Sequence, residues 1–288
     1  MKISFLCGPE RLNEFHRPAL VVAHPGHELK VFGWLQASIP RVYVLTDGSG
    51  GGTPRLASTA KLLNQAGAIS DEVFRAISDA EIYCSILQKQ TAIFLGIVDA
   101  LAASFVGNGI DFVAGDAAEG FNPTHDICRA LVNAAVAIAQ HATGRTIANY
   151  EFCLTEWEQH CLEIHDQRCL HLRLEDGLLR RKLRSAAEYT ELKQEIEQAI
   201  ALRGEEYFRV ECLRKIGDSF PEPEPAPKPY YEVFGETRVA QGKYESVIRY
   251  EQHMLPILKA VRAHALEITT VSDTLLTSTV AAGQPLLL

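Results

Sequence analysis

The sequence predicts an α/β chain with three layers: a mostly parallel sheet between two sets of helices, followed by a helical and extended C-terminal extension. Three observations predict it. Short apolar runs alternate with stretches of helical spacing. Each run ends in turn residues, as a strand does when a crossover helix follows. The alternation stops near residue 152, and long charged amphipathic stretches replace it.

Each element has its own signal. "PALVVAH" is a short apolar run that ends in a turn, and so a buried strand. "ELKVFGWLQAS" has helical spacing, and Trp34 within it reads as a core residue. "RVYVLT" is a second strand, closed by the glycine-rich "DGSGGGTP". "RLASTAKLLNQAGA" is a helix with a glycine stop. The segment from Ser78 to Gly109 holds one or two helices, and "IDFVAGD" is the next strand. "NPTHDICRALVNAAVAIAQHATG" is a long helix with a capping residue before it and glycine after it, and "RTIANYEF" is a further strand. This order makes the fold Rossmann-like, with ligands expected beyond the carboxyl ends of the strands.

After residue 152 the reading is helical. The stretch from Glu175 to Lys215 is charged and amphipathic, and its charges read as a solvated face. "PEPEPAPKPYYEVFGE" favours an extended polyproline-type path, its tyrosines pinning a loop or offering a wall to a sugar ring. "YESVIRYEQHMLPILKAVRAH" is a last amphipathic helix, with His253 structural, and the tail after it carries no clear signal. The expected organisation is an α/β domain over 1–217 and an extension over 218–288 that packs on it.

Composition limits the function. The chain has 288 residues, 47% hydrophobic and 22% charged, enough for a sizeable core. Its net charge of −8 argues against a nucleic-acid binder. No apolar run reaches the ~18 residues a membrane span needs, and the first fifteen residues form no signal-peptide core. The seven cysteines are scattered without a CxxC pair, which reads as reduced thiols in a cytoplasmic protein. "HCLEIHDQRCLH" has no evident closing ligand geometry. The sequence leaves a homo-oligomer open.

The chemistry gathers at strand-to-helix junctions. In "VVAHPGHE", His24 closes the first strand and His27 falls in the first turn after it. "GFNPTHD" places His125 at another such junction. A helix N-terminus disfavours imidazolium, and a neutral imidazole suits a divalent metal. Three histidines at one sheet edge could form a zinc site with a fourth position open. Each could instead be a cap or a surface residue.

"AHPGHE" and "NPTH", with the β–α order around them, resemble the PIG-L/LmbE family of zinc-dependent N-deacetylases, whose motifs are "AHPDDE" and "HPDH". "VLTDGSGGG", "RLASTAKLLNQAGA", "LLRRKLRSAAEYTEL" and "EEYFRVE" resemble further pieces of that family, over roughly residues 18 to 215. The resemblance implies Zn2+ held by His24, His27 and His125, with histidine replacing aspartate at the middle ligand. It implies an enzyme that removes an acetyl or other acyl group from an amino sugar or glycoconjugate. It also exposes departures. The family's general base falls on Gly26, and the histidine that assists the oxyanion falls on Asn122, whose amide can still donate. Asp116 and Glu119, at the end of "IDFVAGD" and on the loop after it, are the first candidates to replace the base, with Asp126 behind them. Glu28 reads as an acid at a helix start that points away. Arg55 and Asp47 are the candidate substrate contacts. A non-catalytic descendant that binds a metal or a glycan is the competing class.

Overall fold

The computed structural model describes residues 3–7, 16–70, 77–155, 169–217 and 228–281. The proline run from 218 to 227 and "HCLEIHDQR" lie outside them.

Among the described residues, eight strands form one mixed sheet. They are β1 (Ile3–Cys7), β2 (Pro18–Val22), β3 (Arg41–Val44), β4 (Ile69–Ser70), β5 (Phe112–Asp116), β6 (Ala148–Phe152), β7 (Cys169–Leu174) and β8 (Val210–Lys215). The order across the sheet is β1-β7-β8-β6-β5-β2-β3-β4. From β4 to β6 every pairing is parallel, with β2 in the middle, flanked by β3 and β5. The other edge is antiparallel, where β8 pairs β6 and β7, and β7 pairs β1.

The helices are α1 (Phe32–Ser38), α2 (Leu56–Ala66), α3 (Asp79–Leu87), α4 (Thr91–Gly107), α5 (Pro123–Thr143), α6 (Asp176–Ala187), α7 (Lys193–Arg203), α8 (Tyr230–Ala240) and α9 (Leu255–Ala281). The alternation of side chains along β2 sorts them into two layers. Ala19, Val21 and Ala23 face a core shared with α3, α4 and α5, while Leu20 and Val22 face one shared with α1, α2 and α6. A strand buried on both faces must be apolar throughout, which is why "PALVV" carries no polar alternation.

Local chemistry explains the helix starts. Asn122 caps α5 by accepting the Thr124 N–H at 2.8 Å, and Pro123 occupies the first turn. Ser78 and Glu81 form a capping box at α3. The start of α1 is held from a distance: the Gly33 and Trp34 N–H groups donate to Glu211 on β8 at 2.8 and 2.9 Å. The same carboxylate pairs with Lys182 of α6 at 2.9 Å. Glu211 and Lys182 are both buried, so each neutralises the other. Trp34 lies in the core as expected.

The antiparallel edge corrects the sequence reading. Residues 210–215 were expected to be helical, and they form β8. The Tyr230 segment was expected to be extended, and it forms α8. The last helix continues through the tail to Ala281. Met254, Ile257, Val261 and Ala265, at and after its start, are buried in the same core as α4 and α5.

Candidate metal centre

His24 lies two residues past the end of β2, His27 opens the short 3-10 turn His27–Leu29, and His125 sits in the first turn of α5. All three reach the carboxyl edge of the parallel strands. Their rings meet edge to face, with centroids 5.3 Å apart for His24 and His27, 5.1 Å for His24 and His125, and 4.7 Å for His27 and His125.

Hydrogen bonds set two of the tautomers. Thr46 Oγ1 donates its only proton to the Ala23 carbonyl at 3.0 Å, and it lies 2.7 Å from His24 Nδ1. His24 Nδ1 must therefore carry the proton, and Asp79 Oδ1, 3.1 Å away, favours the same arrangement. His24 Nε2 is left with a lone pair, buried and without a partner. His27 Nδ1 lies 2.8 Å from Asp116 Oδ2, so it donates there and its Nε2 also keeps a lone pair. A carboxylate behind an imidazole is the usual support for a metal-ligating histidine. His125 Nδ1 is likewise buried and unpartnered.

Electrostatics keep the cluster ready for a cation. Burial, above all, lowers the pKa of His24, and burial and the neighbouring His27 and His24 push that of His125 well down. Both are therefore neutral near pH 7, the form that ligates. Burial opposes ionisation of Asp79, but hydrogen bonding to His24 and the pull of that ring hold its carboxyl at about 2.

The expected acids have specific positions. Asp116 is fully buried, and its Oδ2 also accepts the Ala23 N–H at 2.7 Å, while its Oδ1 has no partner. Glu119 accepts from the Leu154 N–H at 2.8 Å, the Thr155 N–H at 3.2 Å and the Thr155 hydroxyl. Its carboxylate is spent fixing the segment after β6, which does not suit the base role read from the sequence. Asp126 accepts the N–H groups of Glu119 and Gly120 at 3.0 and 3.1 Å, and burial pushes its pKa up to about 6. Glu28 does not point away. It is fully buried and accepts from the Gly26 N–H at 2.7 Å and from Thr59 and Tyr189 at 2.9 Å each, so it pins the turn between the first two histidines.

The substrate candidates separate. Asp47 accepts the N–H groups of Ser49 and Asp79 at 2.9 and 3.3 Å, and so it organises the glycine loop. Arg55 borders a cavity of about 440 Å³ whose wall also includes His27 and His125. Its Nε is buried with no partner. The Asn122 amide donates to the Tyr83 hydroxyl at 3.2 Å. Most of the remaining wall is apolar, with Leu29, Phe121, Leu183, Ile196 and Phe208 prominent.

Gly26 has φ 107°, a backbone region that side chains rarely adopt. A Cβ built there would lie 2.4 Å from Leu192 Cδ1. Gly26 is therefore covered by a leucine from the turn before α7. The sequence reading missed Leu192, Asp79 and Thr46. Only Asp79 had a signal, as an acid at a helix start facing the sheet edge.

No protein-family model matches the sequence, and neither does any curated protein. Two solved structures are similar. One is a deacetylase triple mutant, Orf2*T, of the teicoplanin biosynthetic pathway, at 11% identity and a TM-score of 0.46. The other is the zinc-inhibited form of teicoplanin deacetylase Orf2, at 10% identity and a TM-score of 0.44. Each alignment covers 70% of this chain and 100% of the other.

Proposed function

We propose that this protein is a zinc-dependent amidohydrolase that removes an acyl group, acetyl in the simplest case, from an amino sugar or sugar conjugate. The observation that carries the proposal is the group of three buried imidazoles, two of them with the lone pair on Nε2 fixed by a partner behind the ring. Unpartnered nitrogens at His24 and His125 fit a cation, because leaving them buried and unbonded costs ~1–3 kcal/mol each.

His24, His27 and His125 would hold the ion. A bound zinc ion would polarise an amide carbonyl and activate water near neutral pH. Thr46 and Asp79 keep His24 in the ligating tautomer, and Asp116 does the same for His27. Asp116 Oδ1 is a buried carboxylate oxygen beside the cluster with no hydrogen-bond partner, and so we assign it the proton taken from water. Arg55 would hold an anionic or hydroxyl group of the substrate. The apolar wall would take the acyl group or another apolar part and exclude water.

A specific observation favours a second reading. Leu192 over Gly26 closes the position of the resembled enzymes' base, as expected if the chain binds metal and ligand without hydrolysis. Acetate release from a panel of N-acetylated amino sugars, measured with zinc and after chelation, separates the two. Chelator-sensitive release that disappears in His125→Ala supports the hydrolase. Zinc bound with no release from any substrate supports the non-catalytic reading.

A further inference from the structure

The antiparallel half of the sheet holds a second group of ligating side chains. On the β7–β8 ribbon, His171 stands opposite Cys212 and Cys169 opposite Arg214. Residues two apart on a strand share a face, and directly opposed residues share it too. Cys169, His171 and Cys212 therefore project together. The alternating Leu170, Leu172 and Leu213 belong to the core on the other face. One ligand atom from each of the three polar residues lies within 4.8 Å of the other two. Cys169 is 0%, His171 4% and Cys212 7% exposed.

A disulfide does not explain this group. Cys169 and Cys212 form no disulfide with each other. The register makes them diagonal neighbours, and diagonal Cα atoms stand ~7–8 Å apart. A disulfide spans ~4.4–6.8 Å.

We propose that Cys169, His171 and Cys212 bind a zinc ion, at a site separate from the histidine cluster. Thiolate and imidazole donors suit zinc, and the hard cations calcium and magnesium prefer oxygen. Charge also matches. Two thiolates and one neutral imidazole cancel a divalent cation, so the buried complex carries no net charge. Binding makes two Zn–S bonds and one Zn–N bond, and the two thiol protons leave to solvent. The fourth position is open to water. The ion would tie β7 to β8 at the edge where the sheet has left its parallel order, and its role would be structural.

Cobalt separates this site from the first, because the histidine cluster has no sulfur. The full-length chain titrated with Co2+ should develop thiolate-to-cobalt charge-transfer absorption that saturates at one sulfur-bound ion per chain, and zinc should displace it. Cys169→Ser and Cys212→Ser should each weaken that binding at least tenfold, while His24→Ala should leave the absorption intact. X-ray absorption of the zinc-loaded wild-type chain should find two sulfurs at ~2.3 Å. That measurement stands even if a cysteine variant fails to fold. No charge-transfer absorption, absorption unchanged in Cys169→Ser, or a shell of nitrogen and oxygen alone would overturn the proposal.

Discussion

Leu192 covers Gly26: a Cβ on the glycine would sit 2.4 Å from the leucine's Cδ1, and the glycine backbone has φ 107°. Two obstacles thus stand against an aspartate at this position. The steric one is soft, because the end of a leucine side chain can turn away. The backbone one is not, since a side chain in such a region costs ~1–3 kcal/mol. Gly26→Asp should lower unfolding free energy by about that amount in a denaturant titration. Adding Leu192→Ala should relieve the contact and leave the backbone cost. A Gly26→Asp chain as stable as the parent would show that this turn adapts freely.

Asp116 supports His27 from behind, at 2.8 Å. Removing the charge in Asp116→Asn should weaken zinc binding by ~10–100-fold, the usual effect of losing such a partner. Calorimetric titration of the Cys169→Ser, Cys212→Ser background measures it without the second site. If affinity is unchanged and only turnover falls, Asp116 acts as a base without holding the ligand.

Glu119 is assigned to the segment after β6 and not to chemistry. Glu119→Ala strips the acceptor from the Leu154 and Thr155 N–H groups and should cost ~1–3 kcal/mol of stability. Zinc affinity should stay within about threefold of the parent. A loss of zinc binding without a loss of stability would return Glu119 to the metal centre.

His253 gives a pH test away from the metal. Its Nδ1 accepts the Arg249 N–H at 2.8 Å, which requires the neutral ring. Burial, with the charges of Lys89 and Arg249, lowers its pKa from the ordinary 6.5. The unfolded chain therefore binds this proton more readily, and stability falls as pH drops below about 6.5. His253→Asn keeps a side-chain acceptor and removes the titration. Its stability should fall less steeply between pH 6.5 and 5, by at most the equivalent of one proton. An identical slope in parent and variant would remove His253 from the account.

Ile257 tests whether the C-terminal part belongs to the main core. It is fully buried in the cluster that α4 and α5 share. We propose that residues 218–288 are an extension completing that core, so Ile257→Ala should cost ~2–5 kcal/mol in the unfolding of the whole chain. A cost below ~0.5 kcal/mol would mean that the extension unfolds on its own.

The parallel half of the fold was legible because its strands are continuous apolar runs and its helices carry caps: "PALVV", "RVYV" and Asn122 ahead of Pro123 are local signals. The antiparallel half was not. "VECLRK" alternates, but it follows a long helical pattern, and its pairing with "CLHLRL" is a contact over roughly forty residues. The histidines of the candidate metal site could be read from the junctions they occupy. Asp116 was read as an acid of this edge, but not as the support behind His27, and Thr46 and Asp79 were missed because they reach His24 from other crossovers. Glu28 was misread for the same reason: helical spacing turned it outward, whereas the 3-10 turn and Tyr189 turn it into the core.

Anomalous diffraction at the zinc edge, from crystals of the zinc-loaded chain, tests the central claim most directly. The account predicts a peak ~2.0–2.1 Å from Nε2 of His24, Nε2 of His27 and one ring nitrogen of His125. Zinc density that avoids these three histidines, or none at all beside them in fully loaded protein, would contradict it.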